Sequence, residues 1–328
     1  MKFKSSKIFI LLKLGLGVGV IIFFLFWLDI SKILQILIKI DLRAVIVLFS
    51  IYVSDRLFMA YKWGLLIKSF KKDIGFWRLA RAYFYGSFTS QFMPVSISGD
   101  VVRFYSVSSS DLSRTYLFSS MVIEKVFGFF SMIVAVVIAV ILYSSPLMNN
   151  RNFFNGASIS FILLIAGIVI LFFIFKTKII SDLLQKYKGR FKEKINNIVS
   201  SFSFFSRKKR LLLKFLSYSL AEQIFPLLAV FILSHSLGIN ISFLQVLFIA
   251  SLGLLLARLP ISPSAIGIQE GAFVGLFILV GLKGEAGFAL SISMRILDMI
   301  YPLPFILIYL SDTIQLLKKS KRNESQFI

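Results

Sequence analysis

Acids and arginines stand in this sequence where almost nothing else is polar. Asp100, Arg103, Glu124, Glu222, Arg258, Glu270, Arg295 and Asp298 all lie within or beside long apolar runs. Two of the acids follow helix-breaking stretches. One is Pro94-Val95-Ser96-Ile97-Ser98-Gly99-Asp100-Val101-Val102-Arg103; the other runs from Leu259 through Pro260, Pro263 and Gly267 to Glu270-Gly271, inside an apolar segment of about 243–282. Unwound backbone in hydrocarbon leaves amide groups unpartnered, at several kcal/mol each, so such a break persists only where protein or a wet cavity surrounds it. A charge at mid-membrane costs about 2.5–3.5 kcal/mol on insertion scales and is rarely kept without a partner or a task. An arginine fork held ready by a carboxylate is suited to a phosphate, which it grips bidentately. The residues expected to form a site are therefore Pro94, Gly99, Asp100, Arg103, Glu124, Pro260, Pro263, Gly267, Glu270 and Arg295. For Asp55, Arg56, Glu222 and Asp298 structural pairing is expected. Asp298 is three residues from Arg295, so one helix face can neutralise itself; Asp55 and Arg56, being adjacent, must each find a partner or water elsewhere.

Composition excludes most other chemistry. The chain has 328 residues, 58% of them hydrophobic, with mean hydropathy +0.87 and repeated apolar runs longer than 18 residues, which makes it a polytopic helical membrane protein. There are no cysteines and a single histidine, His235, so thiolate sites are excluded and histidine-based zinc or Ser-His-Asp chemistry has too few groups. No metal and no cofactor is expected. The net charge of +22 does not indicate nucleic acid, because the basic residues cluster between apolar runs.

The elements that must position these residues follow from hydropathy. Full spans are expected at about 8–28, 44–67, 115–143, 157–175, 211–237 and 286–310. The first is too long for a signal peptide and is expected to stay as an anchor. Residues 30–40 read as a short interfacial helix. Basic residues concentrate in 1–13 (four), 68–81 (five), 176–210 (eleven) and 318–322 (four), against three in 29–43, one in 144–156 and none in 238–242. That asymmetry places both termini, the loop 176–210 and the tail 311–328 in the cytoplasm. With those sides fixed, 79–110 must dip in and return, and 243–282 is most simply a second hairpin from the opposite face. The fold class expected is an all-α polytopic membrane protein, one integral domain over 1–328. It has about six full spans and two re-entrant hairpins in an inverted-repeat arrangement, as transporters with broken-helix sites have. A three-span reading of 243–310 has the same parity.

The chain also resembles the membrane domain of lysylphosphatidylglycerol synthases, over nearly its whole length. The pieces that carry the resemblance are Arg56 with Trp63-Gly64-Leu65-Leu66, the stretch from Pro94 to Gly99-Asp100-Val101-Val102-Arg103, and Glu124-Lys125. Leu259-Pro260-Ile261-Ser262-Pro263 with Gly267-Ile268-Gln269-Glu270, and Arg295, complete it. Two departures are Lys125, where the family usually has arginine, and Ser264 or Ala265, where it has glycine. The resemblance implies transfer of a phospholipid or polyprenyl-linked lipid between leaflets of the cell membrane. Its expected partners are membrane lipids with anionic or phosphate-bearing headgroups, and either a second copy of the chain or a lipid synthase. Two other classes fit the sequence: a membrane-embedded lipid-modifying transferase using Asp100 or Glu270, and a non-transporting partner of a synthase. Relatives that aminoacylate lipid do so with a separate soluble domain, and no polar loop here exceeds about 35 residues.

Overall fold

The computed structural model describes residues 30–38, 40–70, 74–92, 98–108, 113–143, 204–205, 207–258 and 262–305. The expected spans at 8–28 and 157–175, most of the basic loop 176–210, the tail 311–328 and the tip residues Pro94 and Pro260 lie outside these residues. All regular elements among the described residues are helices, ten α-helices and one 3-10 turn.

A short helix, α1 (Ile30–Leu37), precedes α2 (Leu42–Lys68), whose start is capped by Asp41 accepting from the Arg43 N–H. Next come α3 (Phe76–Phe92) and α4 (Ser98–Val107), then α5 (Arg114–Leu142). The segment expected as one span at 211–237 is two helices, α6 (Lys209–Glu222) and α7 (Ile224–Ser236), meeting at Gln223. Pro226 explains the interruption, because it has no N–H to donate to the carbonyl of Glu222 one turn earlier. Then follow α8 (Phe243–Ala257), started by a capping box between Ser242 and Gln245, α9 (Ile268–Leu279) and α10 (Gly284–Ile300).

Four stretches are long and apolar enough to cross a membrane: Leu42–Lys68, Arg114–Leu142, Lys209–Ser236 and Gly284–Phe305. They coincide with the four expected spans that fall among the described residues. At 15 and 12 residues, α8 and α9 are only about 22 and 18 Å long. The expected broken stretch 94–103 is corrected in one respect. Gly99, Asp100 and Arg103 are not on unwound chain; they stand in the first two turns of α4, with Asp100 favourably placed near the helix N-terminus.

Two apolar cores hold the bundle. One is built from Leu48, the later half of α5 (Met132 to Val140), α7, α8, α9 and α10; the other from Ala60 to Ile67 on α2, Leu79 to Phe84 on α3, Leu117 to Phe127 on α5, and Phe215. Thus α2, α5 and the α6–α7 pair each run from one core into the other. Tyr52 packs against both cores.

The short helices pack through glycines. A Cβ on Gly86 of α3 would meet the Gly99 carbonyl oxygen at 2.8 Å, and one on Gly99 would strike the Gly86 carbonyl oxygen, so the two backbones cross in direct contact. Gly253 on α8 likewise makes room for the Phe273 ring of α9.

Candidate functional site

Several charged residues of the apolar helices are buried and meet in separate groups. On α5, Glu124 is 4% exposed. It accepts from the Arg103 guanidinium at 2.6 Å and from the Tyr83 hydroxyl at 2.5 Å. The rings of Tyr83 and Trp63 flank the Arg103 guanidinium at 3.8 and 4.7 Å. Trp63 is fixed in turn by its Nε1–H donating to Ser120 at 3.0 Å. Asp100 is only a distant partner of Arg103, at 3.6 Å, and pairs more closely with Lys125 at 2.6 Å. Sequence reasoning singled out Asp100, Arg103 and Glu124, and the structure brings all three together. Lys125 keeps the cation that the departure from arginine put in question.

The second group ties down the break before α9. Ser264 and Ala265 take positive φ of 49° and 54°, a left-handed conformation that side chains resist, and Gly267 takes 81°. Glu270 is completely buried. It accepts from the Gly267 N–H at 2.7 Å and from Arg295 Nε–H at 2.6 Å. Arg295 spends its other two nitrogens on the turn itself, donating to the Ser264 carbonyl at 3.0 Å and the Ala265 carbonyl at 3.3 Å. The turn also closes on itself through Ser262, whose hydroxyl donates to the Ile266 carbonyl at 2.8 Å. Gly267, Glu270 and Arg295 are therefore brought together as expected. The expected neutralisation of Arg295 by Asp298 is corrected: Arg295 has three other acceptors, and Asp298 makes no ion pair with any described residue.

A third pair gives Glu222 the structural partner expected of it, in a lysine that was not anticipated. Lys62, 1% exposed, pairs with buried Glu222 and lies 3.3 Å from the Ser219 hydroxyl, with its ammonium 5.1 Å over the Phe215 ring. The signal available was a lysine inside an apolar span, six residues before its end. Asp55 and Arg56 correct a second expectation, since Arg56 Nη2 pairs with its neighbour Asp55 at 3.0 Å. The long arginine stem can curl back along the helix, which the angular argument for adjacent residues ignored. Arg56 also lies 5.3 Å over the Tyr52 ring.

A different set of polar residues stands where the bundle changes from one core to the other. There α2 carries Tyr52, Asp55 and Arg56, α5 carries Gly128 and Ser131, and the α6–α7 junction carries Glu222 and Gln223, whose Nε2 donates to Ser131 at 3.1 Å. Arg258, at the end of α8, reaches across to Gly128. The outer surfaces of the same helices are apolar, with Ile46, Ile138, Leu213 and Ile278 well exposed. No hydrogen bond or ion pair among the described residues joins the Arg103–Glu124 pair to the Arg295–Glu270 pair.

Residues 10–305 match the family described as the lysylphosphatidylglycerol synthase transmembrane region. A UPF0104 membrane protein of Pyrococcus horikoshii is 23% identical over 305 residues, covering 86% of this chain and 90% of its own length.

Proposed function

We propose, for a chain that belongs to the lysylphosphatidylglycerol synthase transmembrane-region family, that it moves a lipid with a phosphate-bearing headgroup between the two leaflets of the cell membrane. One observation carries the reading. Helices with apolar outer surfaces enclose buried charged pairs, and Tyr52, Asp55, Arg56, Ser131, Glu222 and Gln223 stand between the two cores. A headgroup cannot cross hydrocarbon without losing its hydration, and an inward lining of charges replaces water along the way. A protein whose only task was anchorage would gain nothing from holding Lys62, Arg103, Glu124, Glu222 and Glu270 away from water.

In this reading the two short helix pairs, α3–α4 and α8–α9, are re-entrant hairpins that enter from opposite faces in an inverted-repeat arrangement. Their contacts support a division of labour. Arg103–Glu124 and Arg295–Glu270 brace the hairpins, and the headgroup passes along the level between them. The termini are cytoplasmic, as the basic segments direct.

The test is reconstitution in liposomes carrying a trace of fluorescent nitrobenzoxadiazole-labelled phosphatidylglycerol, with dithionite added outside. Protein-free vesicles lose only the outer-leaflet signal, about half. Vesicles with the protein should lose nearly all of it, because inner-leaflet lipid arrives at the outer face. Loss that stops at half, in vesicles shown to contain folded protein, would remove lipid transfer. It would favour a second reading suggested by the synthase in the family's description, that the chain serves a lipid-synthesising partner.

A further inference from the structure

Among the described residues, the cations inside the bundle differ in how fully they are used. Arg295 donates from all three of its nitrogens, and Lys62 is enclosed by Glu222, Ser219 and Phe215. Arg103 retains an unpartnered Nε, but aromatic rings cover its guanidinium and the residue is 8% exposed. None of these three presents a free fork to an incoming group.

Arg56 and Arg258 do. Among the described residues Arg56 has one acid partner, Asp55, and one ring, that of Tyr52, beneath it, and its Nε is buried without an acceptor. The Arg258 guanidinium makes no hydrogen bond or ion pair with any described residue, and its side chain is exposed. It nevertheless lies against Gly128 of α5 and within electrostatic reach of Arg56, Asp55 and Glu222. The two cations repel one another, and Asp55 and Glu222 offset that repulsion from a distance without bonding the Arg258 guanidinium. Close by are two more buried donors, the Tyr301 hydroxyl without a partner and the Tyr52 hydroxyl with only Ser87 near it, their rings 5.4 Å apart. Buried polar groups are nearly always satisfied, so several orphaned donors in one neighbourhood mark a place where a polyvalent acceptor belongs.

We infer that Arg56 and Arg258, with the hydroxyls of Tyr52 and Tyr301, form the site that takes the phosphodiester group of the lipid headgroup. The inference rests on the lipid-transfer reading. A phosphodiester carries one negative charge and two unesterified oxygens, which suits two guanidinium groups and neutral hydroxyl donors better than it suits any carboxylate-saturated pair. Asp298, exposed and within electrostatic reach of Arg56, opposes anion binding there. A lipid with the phosphate held at this level would have its chains directed between the apolar helix surfaces.

Calorimetric titration of the purified full chain with monomeric dihexanoylphosphatidylglycerol tests this, with dihexanoylglycerol as the control that lacks phosphate. Arg56→Gln and Arg258→Gln should each weaken binding roughly tenfold or more, the value of a charge-assisted contact. Asp298→Asn should strengthen it, a gain that misfolding cannot imitate. Inorganic phosphate should compete poorly. Wild-type affinity in both arginine variants, or a loss in Asp298→Asn as large as theirs, would overturn the site. Inorganic phosphate binding as tightly as the lipid would replace a headgroup site by a free-anion site. The same variants in the liposome assay separate the two readings. Normal transfer with Arg56→Gln and Arg258→Gln removes the site and keeps the transporter. Arginine-dependent binding without transfer by the wild type keeps the site and removes the transporter.

Discussion

Lys62 and Glu222 show at residue scale what it takes to keep a charge inside this bundle. Each is enclosed, and each is the other's compensation. Lys62→Met should therefore cost roughly 3–5 kcal/mol, because it strands a buried carboxylate; Lys62→Met combined with Glu222→Leu should recover most of that loss. Thermal unfolding in detergent, run as a double-mutant cycle, measures both. If the double variant is as unstable as the single, the pair is not an isolated unit. Arg295 allows a sharper distinction between charge and shape. Arg295→Lys keeps a cation for Glu270 but cannot also donate to the Ser264 and Ala265 carbonyls, so it should destabilise by about 1–3 kcal/mol, visible in the same unfolding measurement. Wild-type stability in Arg295→Lys would mean that the turn does not depend on the clamp. Sequence reading found Glu270, Arg295, Arg103 and Glu124 because each interrupts an apolar run. It missed Lys62, whose partner lies 160 positions away on another helix, and it misjudged Asp55–Arg56 by treating side chains as fixed spokes. Partner choice depends on distances across the bundle, which spacing along one helix does not contain.

At the scale of elements, hydropathy located the four membrane-long helices among the described residues to within a few positions. It did not divide 211–237, although Pro226 was the available signal. It also carried the first break into α4, since Gly99-Asp100 looks like turn chemistry until the helix around it is seen. The glycine contacts give this scale its prediction. Gly99→Ala sets a methyl group against the Gly86 backbone, which cannot yield as a side chain can, so α3 and α4 must separate. The expected cost is about 1–3 kcal/mol, and the thermal midpoint should fall accordingly. Gly275→Ala is the control, because a Cβ there meets nothing within 4 Å, and it should leave stability unchanged. Equal effects from the two substitutions would show that the crossing is not in backbone contact.

For the whole molecule, the positive-inside asymmetry of the sequence predicts sidedness. The chain has no cysteine of its own, so single cysteines replacing Asn149, Ser181 and Ser320 report directly. The first should label from outside and the other two only from the cytoplasmic face; outside labelling at Ser181 would overturn the proposed orientation and with it the opposed hairpins. The most direct test of the account concerns its central claim, that charges inside the bundle border an aqueous path while the outer surface meets lipid. Cysteines replacing Arg258 and Asp298, and others replacing Ile46 and Ile138, can be exposed in reconstituted vesicles to a charged, membrane-impermeant thiol reagent. The reagent needs a thiolate, which forms in water and not in hydrocarbon. The account predicts fast reaction at 258 and 298, slowed by dihexanoylphosphatidylglycerol at 298, where both arginines remain, and almost none at 46 and 138. Reaction at 258 and 298 no faster than at 46 and 138 would contradict it.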